Sequence, residues 1–504
     1  MSEHHEIERT FGPVPPDLAL PGLVGVAGVA ELGEAQESLL EATYVDTADL
    51  RLVRAGITLR RRTGGADAGW HLKLPAGEGR DEVHAPLGRR TDHVPVALRR
   101  LVLARTRGAE LAPVATVVTR RSTTDLLDDQ GRRLAEVADD CVEGQAPGED
   151  GTDRQSAWRE WEVELVDGDP ALLDAVEEHL RASGVARSPV QRKVVQVLGE
   201  RADPPEAPPR PTWTGPASQV LHARLATLVD TLQRQDVAIR RGDPEGVHRA
   251  RIACRRMRTA LATFRPLVEC EVTDPLRDEL RWLGRELAPA RDAQVARDHL
   301  LQRLDEQPRE ALVGPVRQRV RRELDADARD ALRAAQATLE SERYLALVDR
   351  LVQLASAPPW TATAHRKARK RLPRRVRKDV ARLLDRLAAA EAATGDGRDE
   401  AWHAARKAAK RLRYTAEALE PAAGKPARRL RKAAKQVTTA LGARQDTVVA
   451  REQLVRLAAL AREDGESDFT YGLLVGQEQA RAAEAERDAL GARGRVEKRC
   501  DDWG

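Results

Sequence analysis

The stretch VHRARIACRRMRTALATF at residues 247–264 recurs as WHAARKAAKRLRYTAEAL at residues 402–419, 155 residues further along the chain. At about 100° per residue, the apolar positions of each stretch fall on one stripe, so the two stretches are predicted to be helices that bury the same face. The two stripes consist of Ala250, Ala253, Cys254, Met257, Leu261 and Phe264, and of Ala405, Ala408, Ala409, Leu412, Ala416 and Leu419. The later part of the chain therefore repeats a helical unit.

A row of basic and imidazole side chains runs along one edge of each apolar stripe. The two rows, called the basic ladders below, are His248, Arg251, Arg255 and Arg258, and His403, Arg406, Lys410 and Arg413. Like charges at helical spacing repel one another, so the ladders cost stability unless an anion is bound. Because guanidinium groups match phosphate oxygens, a linear polyanion is the predicted ligand. The alternative is an ordinary solvated face neutralised by nearby acids.

The repeat extends beyond one helix, since LAPARDAQVAR from Leu287 is similar to LGARQDTVVAR from Leu441. We therefore expect an all-α domain over residues 217–487, built as a pair of pseudo-symmetric four-helix bundles, with a C-terminal tail at 488–504. Residues 201–216, RADPPEAPPRPTWTGP, combine prolines with charges and predict an extended linker.

Before the linker, residues 3–200 alternate apolar and polar side chains in short segments, which predicts a mostly antiparallel β domain. The expected fold class is therefore α+β in two domains. Residues 1–200 carry a net charge of −11 and the remainder +15. The two parts are therefore expected to contact different partners, or to contact one partner in different ways.

Composition excludes several classes of protein. A mean hydropathy of −0.53 and the lack of a long apolar run argue against a membrane protein. Aromatic residues make up 3% of the 504 residues, which leaves few platforms for base stacking and argues against a nucleic-acid partner. Four cysteines without paired spacing indicate a reducing compartment, so a cytoplasmic location is expected. Nothing in the sequence indicates an oligomeric state.

Carboxylates share strand faces at both ends of the β domain. In EIERTF, Glu6 and Glu8 point the same way, and in WREWEVEL the same holds for Glu160, Glu162 and Glu164. Between them lie segments whose basic residues also alternate, with Arg60 and Arg62, His71 and Lys73, and either Arg120 or Arg121. For one strand an exposed polar face is the simpler explanation. If the sheet closes, however, the carboxylates would hold Mg²⁺ or Mn²⁺ and the cations would hold phosphate.

The helical part resembles the CHAD domain, the conserved-histidine α-helical module. The matching positions are His248, Arg251, Arg255, Arg256, Arg258, Arg291 and Asp292 in the first copy, and His403, Arg406, Lys407, Lys410, Arg413, Tyr414 and Asp446 in the second. The resemblance implies binding of inorganic polyphosphate by the two ladders together with Lys407. It also implies association with polyphosphate granules.

The β part resembles the CYTH family of triphosphate-tunnel metalloenzymes, whose fold is an eight-stranded antiparallel tunnel. The matching pieces are EIER at Glu6, YVDT at Tyr44, LRRR at Leu59, WHLKLP at Trp70, AEVADD at Ala135, EVEL at Glu162 and RKVV at Arg192. The resemblance implies metal binding by Glu6, Glu8, Glu162 and Glu164, and triphosphate binding by Arg60, Arg62, Lys73, Arg120 and Lys193. It assigns catalysis to Glu6, Glu8, Arg60, Arg62 and Lys73.

One position departs from the CYTH pattern. The family's opening motif reads Glu-x-Glu-x-Lys, and Thr10 stands at the lysine position. A hydroxyl group can bond a phosphate but carries no charge. Two functions therefore stay open for the β part: metal-dependent hydrolysis of tripolyphosphate or polyphosphate ends, and binding of these ligands without turnover. Nucleic-acid binding through the basic helices is a third alternative.

Overall fold

The structure is a computed structural model that describes residues 1–88, 91–148 and 152–503, apart from the side chain of Asp396. The chain forms two compact units, Met1–Glu206 and Ala207–Gly504. The first unit holds an antiparallel sheet and the second is helical. None of the described helices is long and apolar enough to cross a membrane.

The first unit contains ten strands among the described residues. They are β1 Ser2–Glu6, β2 Glu8–Phe11, β3 Glu31–Leu32, β4 Gln36–Asp46, β5 Thr58–Thr63, β6 Gly69–Ala76, β7 Gly79–Ala85, β8 Ala112–Leu127, β9 Arg133–Pro147 and β10 Asp153–Leu165. Neighbours pair in the order β1-β7-β6-β5-β4-β8-β9-β10-β2, with β3 attached to β8. The strands of the sheet are joined by antiparallel ladders.

The sheet is not closed, and its strand number differs from the eight that were expected. The first predicted strand is divided at Ile7, so that β1 pairs with β7 while β2 pairs with β10. The two-residue β3 adds a further short strand. The two ends of the sheet are therefore consecutive segments of the chain, on either side of Ile7.

Helices cover the apolar face of the sheet and leave the other face to polar groups. The helices of this unit are α1 Val96–Leu101, α2 Leu103–Thr106, α3 Pro170–Ala182 and α4 Lys193–Leu198. Helix α3 begins at Pro170 after Asp169, whose carboxylate accepts from the Ala171 N–H. Its Val176 packs with Trp161 and Val163 of β10, both fully buried. Because side chains alternate along β10, Glu160, Glu162 and Glu164 point to the opposite face.

The second unit contains twelve α-helices among the described residues, joined in part by short 3-10 turns. They are α5 Ala217–Arg240, α6 Pro244–Thr263, α7 Cys270–Glu286, α8 Ala288–Asp305, α9 Val316–Glu340, α10 Glu342–Ser356, α11 Ala368–Arg371, α12 Pro373–Ala392, α13 Arg398–Ala423, α14 Lys425–Glu463, α15 Phe469–Gly491 and α16 Arg493–Lys498. Helix α6 packs on α5 and α7, and α13 packs on α12 and α14. The two predicted ladder helices are α6 and α13.

The two copies of the repeat differ in shape. LAPARDAQVAR begins where α7 ends and α8 starts, whereas LGARQDTVVAR lies inside the continuous 39-residue α14. Pro289 lies in the first turn of α8, where its missing N–H costs nothing, and Ala443 occupies the equivalent place in α14. The repeat therefore conserves positions along the helices more closely than it conserves helix boundaries.

Candidate functional site

A charged cavity of about 350 Å³ lies on the polar face of the sheet in the first unit. Seven carboxylates and seven cations occur among the described residues that line it. They are Glu6, Glu8, Asp67, Glu82, Glu136, Glu162 and Glu164, and Arg60, Arg62, Lys73, Arg80, Arg121, Arg192 and Lys193. Acids and bases at such density neutralise each other in pairs, so the pairing decides which groups remain available to a ligand.

Lys73 of β6 is surrounded by three carboxylates at one end of the cavity. Its Nζ lies 2.5 Å from Glu6 Oε2, 3.3 Å from Glu82 Oε2 and 3.8 Å from Glu8 Oε2. Burial disfavours the ammonium, but the charges of Glu8, Glu82 and Glu6 outweigh it and hold the pKa of Lys73 above its usual value. His71 also contacts Glu82, and burial lowers the pKa of His71 to about 4.

Lys193, the first residue of α4, makes a similar set of contacts with a second group of carboxylates. Its Nζ lies 2.9 Å from Asp140 Oδ2, 2.6 Å from Glu160 Oε1 and 2.5 Å from Glu162 Oε1. Burial opposes the charge, yet these carboxylates raise the pKa of Lys193 above its usual value. Arg121 donates two hydrogen bonds to Asp140, of 2.8 and 2.6 Å, and contacts Glu162 as well. Both lysines are thus fully engaged by acids.

Arg60 and Arg62, on the same face of β5, retain unfilled donors. Arg60 donates to the hydroxyl of Tyr44 at 3.2 Å, and Arg62 is paired with Asp67. The Nε atoms of both arginines are buried without a hydrogen-bond partner. Burial and the charge of Arg60 lower the pKa of Arg62 to about 10. A bound anion would satisfy these donors and relieve the repulsion.

The structure places Arg121 in the cavity and Arg120 outside it, which corrects the assignment of Arg120 to triphosphate binding. The Arg120 side chain is 75% exposed and lies 3.8 Å from Glu143 on the outer face. In the antiparallel pairing of β8 with β9, Arg121 lies opposite Asp140 and Arg120 lies opposite Cys141, and directly opposed residues share a face. The two arginines are adjacent in sequence, so they point to opposite faces of β8. The register of β8 against β9 decides which of the two faces the cavity.

The four glutamates predicted to bind metal all line the cavity, but they do not come together as one cluster of potential metal ligands. Among the described residues, two sets have potential ligand atoms within 4.8 Å of one another: His4, Glu6 and Glu82, and Asp140, Glu160 and Glu162. Carboxylate oxygens suit Mg²⁺ and Mn²⁺. Glu8 and Glu164 lie opposite each other on β2 and β10. Burial, together with Glu6, Glu8 and Glu136, raises the pKa of Glu164 to about 7.

Several lining residues were absent from the sequence prediction. Arg80, Glu82 and His84 of β7 all line the cavity, and Arg80 Nη1 donates to Glu8 Oε1 at 3.3 Å. The alternation in GRDEVHA would have placed these three on one strand face. Tyr44, the first residue of the YVDT piece, and Gln191 also line the cavity, but no alternation of charged side chains points to them.

In the second unit, parts of the two basic ladders meet at a cavity of about 410 Å³ between α6 and α13, while His248, Arg251 and Arg413 are not among its described lining residues. The cavity is lined by Arg255, Arg258, Thr259, Ala262, Arg277, His403, Arg406, Lys407, Lys410 and Arg411. No carboxylate is among these described lining residues, in contrast to the cavity of the first unit. Cations from two helices and from α7 therefore converge on one space.

The ladder residues differ in how far they are neutralised. Arg251 pairs with Asp292 at 2.9 Å, and His403 Nδ1 lies 2.9 Å from Gln445 Oε1. Burial and Arg291 lower the pKa of His248. No carboxylate of the described residues forms an ion pair with the remaining predicted cations, which are Arg255, Arg258, Arg406, Lys407, Lys410 and Arg413. The Nε atoms of Arg406 and Arg413 are buried without a hydrogen-bond partner.

Crowding of like charges is strongest at Lys410. Burial, with Arg255 and Arg406 nearby, lowers the pKa of Lys410 to about 6, and Asp446 only partly offsets this. The pKa of Arg406 is lowered for the same reasons, burial first and Arg255 among the charges. A site that depresses the pKa of its own cations is short of negative charge.

A second cavity of about 540 Å³ adjoins the ladder cavity and shares Arg277 and Arg411 with it. It also contains Arg375 and Lys378 of α12. The buried Asp379 accepts from Arg411 at 2.7 Å and so holds one of the shared arginines in place.

Comparison with known proteins agrees with these features. The CYTH domain family matches residues 24–195 and the CHAD domain family matches residues 223–455. Two proteins of Mycobacterium tuberculosis, the uncharacterized proteins MT2285 (strain CDC 1551 / Oshkosh) and Rv2226 (strain ATCC 25618 / H37Rv), are each 37% identical over 506 residues, which cover 97% of this chain and 96% of theirs. The chain therefore belongs to the family in which a CYTH domain is followed by a CHAD domain.

Solved structures are similar to parts of the chain. PptA from Streptomyces chartreusis is 21% identical, covers 55% of this chain and 99% of its own, and has a TM-score of 0.47. The CHAD domain from the plant Ricinus communis is 27% identical, covers 56% of this chain and 94% of its own, and has a TM-score of 0.43.

Proposed function

We propose that the CHAD domain binds inorganic polyphosphate in the cavity between α6 and α13. The observation that carries the proposal is the convergence of Arg255, Arg258, Arg406 and Lys410 on a cavity without a carboxylate among its described lining residues. Polyphosphate supplies a repeating negative charge and oxygen acceptors on every unit, which match guanidinium and ammonium donors. The adjoining cavity at Arg375 and Lys378 offers room for a longer chain.

For the CYTH domain, the proposed ligand is inorganic tripolyphosphate or the end of a polyphosphate chain, bound with Mg²⁺ or Mn²⁺. In this proposal the sheet acts as a tunnel, and Glu6, Glu8, Glu162 and Glu164 hold the metal. The metal would polarise a phosphoryl oxygen or lower the pKa of a bound water. Arg60 and Arg62 bind phosphate oxygens through donors that are otherwise unfilled, and so neutralise charge that develops at the phosphoryl group.

The second candidate is a binding protein without turnover, in which the CYTH domain retains affinity for the ligand alone. Thr10 favours this candidate, because no charge stands where the family has lysine. The ion pairs of Lys73 and Lys193 favour it too, because each ammonium is engaged by three carboxylates. In either case we propose a cytoplasmic protein that associates with polyphosphate granules.

Phosphate release from tripolyphosphate with Mg²⁺ or Mn²⁺ tests the two candidates. Release that disappears in Glu6→Gln supports hydrolysis by the CYTH domain. No release at high protein concentration, with tripolyphosphate binding intact by calorimetry, supports the binding protein. For the CHAD domain, RNA that displaces polyphosphate at equal phosphate concentration would contradict the ligand assignment and favour nucleic-acid binding.

A further inference from the structure

Lys410 of α13 places an amine among guanidinium groups in the cavity between α6 and α13. It lines this cavity with Arg255 and Arg406, and none of the described lining residues is a carboxylate. Its side chain is half-buried, and no described carboxylate forms an ion pair with it. Lys73 and Lys193 of the first unit, by contrast, each contact three carboxylates. Lys410 therefore lacks the acidic partners that keep those two lysines charged.

These surroundings favour the neutral amine of Lys410 at neutral pH. Burial is the main cause that lowers the pKa of Lys410 to about 6. The charges of Arg255, Arg406 and Arg251 act in the same direction. Asp446 of α14 opposes them, but burial raises the pKa of Asp446 as well. A neutral lysine amine is a nucleophile, whereas an ammonium group has no lone pair to donate.

The guanidinium group beside Lys410 has a donor that the described residues leave unfilled. Nε of Arg406 is buried without a hydrogen-bond partner. Arg406 lies four residues before Lys410 in α13, and residues four apart are neighbours on one face of a helix. A carboxylate carried by Lys410 itself would therefore lie beside this guanidinium, which binds planar carboxylates through two parallel hydrogen bonds. It would also supply the negative charge that the cavity lacks.

We propose that Lys410 is a carbamylation site, at which dissolved CO₂ adds to the side-chain amine while Arg255 and Arg406 hold the product. The lone pair of Nζ forms the new N–C bond, one C=O π pair moves onto oxygen to give the carboxylate, and the nitrogen loses one proton to solvent. Dissolved CO₂ is the only reactant besides the amine, and the addition reverses when CO₂ is removed. The carbamate places a negative charge between cations that otherwise repel one another.

The carbamate also regulates the anion site, a consequence that rests on the proposed function. Polyphosphate binds Lys410 as a cation, whereas CO₂ reacts with Lys410 as a neutral amine. The two ligands therefore exclude each other, and each lowers the affinity for the other by the same factor. Dissolved CO₂ thus weakens polyphosphate binding.

Chemical trapping of the carbamate tests the proposal without polyphosphate. The full chain is equilibrated with isotope-labelled CO₂ at pH 7.5, the triethyloxonium ion converts the carbamate into a stable ethyl ester, and mass spectrometry of the peptides locates the label. Label at Lys410 should exceed that at the exposed Lys367 and Lys370 by about ten-fold or more, because an ordinary lysine is almost entirely ammonium at this pH. Equal labelling of the three lysines would overturn the proposal.

Variants of the neighbouring arginines locate the effect. Arg406→Gln removes a guanidinium that holds the product and should lower the label at Lys410 by about ten-fold. Arg321→Ala, at an exposed position of α9, is the matched control and should leave the label unchanged. Undiminished label in a folded Arg406→Gln, verified by circular dichroism, would contradict the site as proposed. If Arg406→Gln does not fold, Arg255→Gln replaces it with the same expected loss.

Calorimetry of polyphosphate binding tests the regulatory consequence. CO₂ at constant pH and ionic strength should weaken binding to the wild type and leave binding to Lys410→Arg unchanged, since a guanidinium forms no carbamate. An equal loss in both proteins would mean that bicarbonate competes as a simple anion, and would overturn the regulation. If neither protein binds polyphosphate, the proposed function fails, whereas the trapping result decides carbamylation by itself.

Discussion

Arg255 of α6 and Lys410 of α13 lie on opposite walls of one cavity, 155 residues apart in sequence, and the charge of Arg255 contributes to the lowered pKa of Lys410. Two helices that the sequence relates by internal repetition thus direct their basic edges at each other. Repulsion between these cations destabilises the free protein. A bound polyanion offsets the repulsion, because each cation is then attracted to the anion.

Removing a cation from this cavity should weaken polyphosphate binding. Arg255→Ala and Arg406→Ala are each expected to lower the affinity by about ten-fold, since a hydrogen bond to a charged group contributes about 1.5–3 kcal/mol. The slope of affinity against salt concentration should also fall. Arg321→Ala, at an exposed position of α9, is the matched control and should bind like the wild type. Equal affinity in all three variants would mean that the ladders are solvated faces.

Binding of polyphosphate should take up a proton at Lys410. The pKa of Lys410 is about 6 in the free protein, and a bound anion raises it towards the ordinary value of 10.5. Between these two values the complex holds more protons than the free protein, so the contribution of Lys410 to affinity decreases as pH rises through that window. Calorimetry at pH 7.5 in buffers of different ionisation enthalpy measures the uptake. Lys410→Met should reduce it, and an unchanged uptake would exclude Lys410 as its source.

Glu164 should make the stability of the CYTH domain depend on pH. Its pKa is about 7 in the folded protein against a reference value of 4.5, so the folded state holds the proton longer and loses stability as pH rises from about 4.5 to 7. Glu164→Gln is expected to be more stable than the wild type at pH 8, by about 1–3 kcal/mol, and to match it near pH 4. Denaturation in urea at both pH values measures this. A difference that is the same at both would contradict the raised pKa.

The same substitution at two neighbouring arginines of β8 should cost much stability at one position and almost none at the other. Arg121→Met leaves the buried Asp140 with one fewer cation and should destabilise the protein by about 3–5 kcal/mol. Arg120→Met, on the exposed outer face, should change stability by less than about 0.5 kcal/mol. Thermal unfolding of both variants compares them directly. Similar losses in the two would mean that the register of β8 is not the one described.

Much of the fold could be predicted from local sequence. The period of 3.6 placed α6 and α13, and the alternation along residues 158–165 placed Glu160, Glu162 and Glu164 on the face opposite Trp161. The count of eight strands was wrong because Ile7 divides the first strand and the two-residue β3 adds another, and whether a strand continues depends on which partners its two halves find. Alternation left Arg120 and Arg121 open because it defines two faces of a strand but does not say which one is inside, and the resemblance pointed to Arg120, whereas Arg121 lines the cavity.

The sequence by itself determined which side chains share a face, that the helical unit is duplicated, and that the chain joins a CYTH domain to a CHAD domain. Only the tertiary structure decided that the two ladders converge, and that Lys73 and Lys193 are engaged by carboxylates from other strands. The physical reason is the distance along the sequence over which each interaction acts. Backbone geometry fixes the direction of neighbouring side chains, whereas ion pairs such as Arg121 with Glu162, 41 residues apart, depend on the register of strands and the packing of helices.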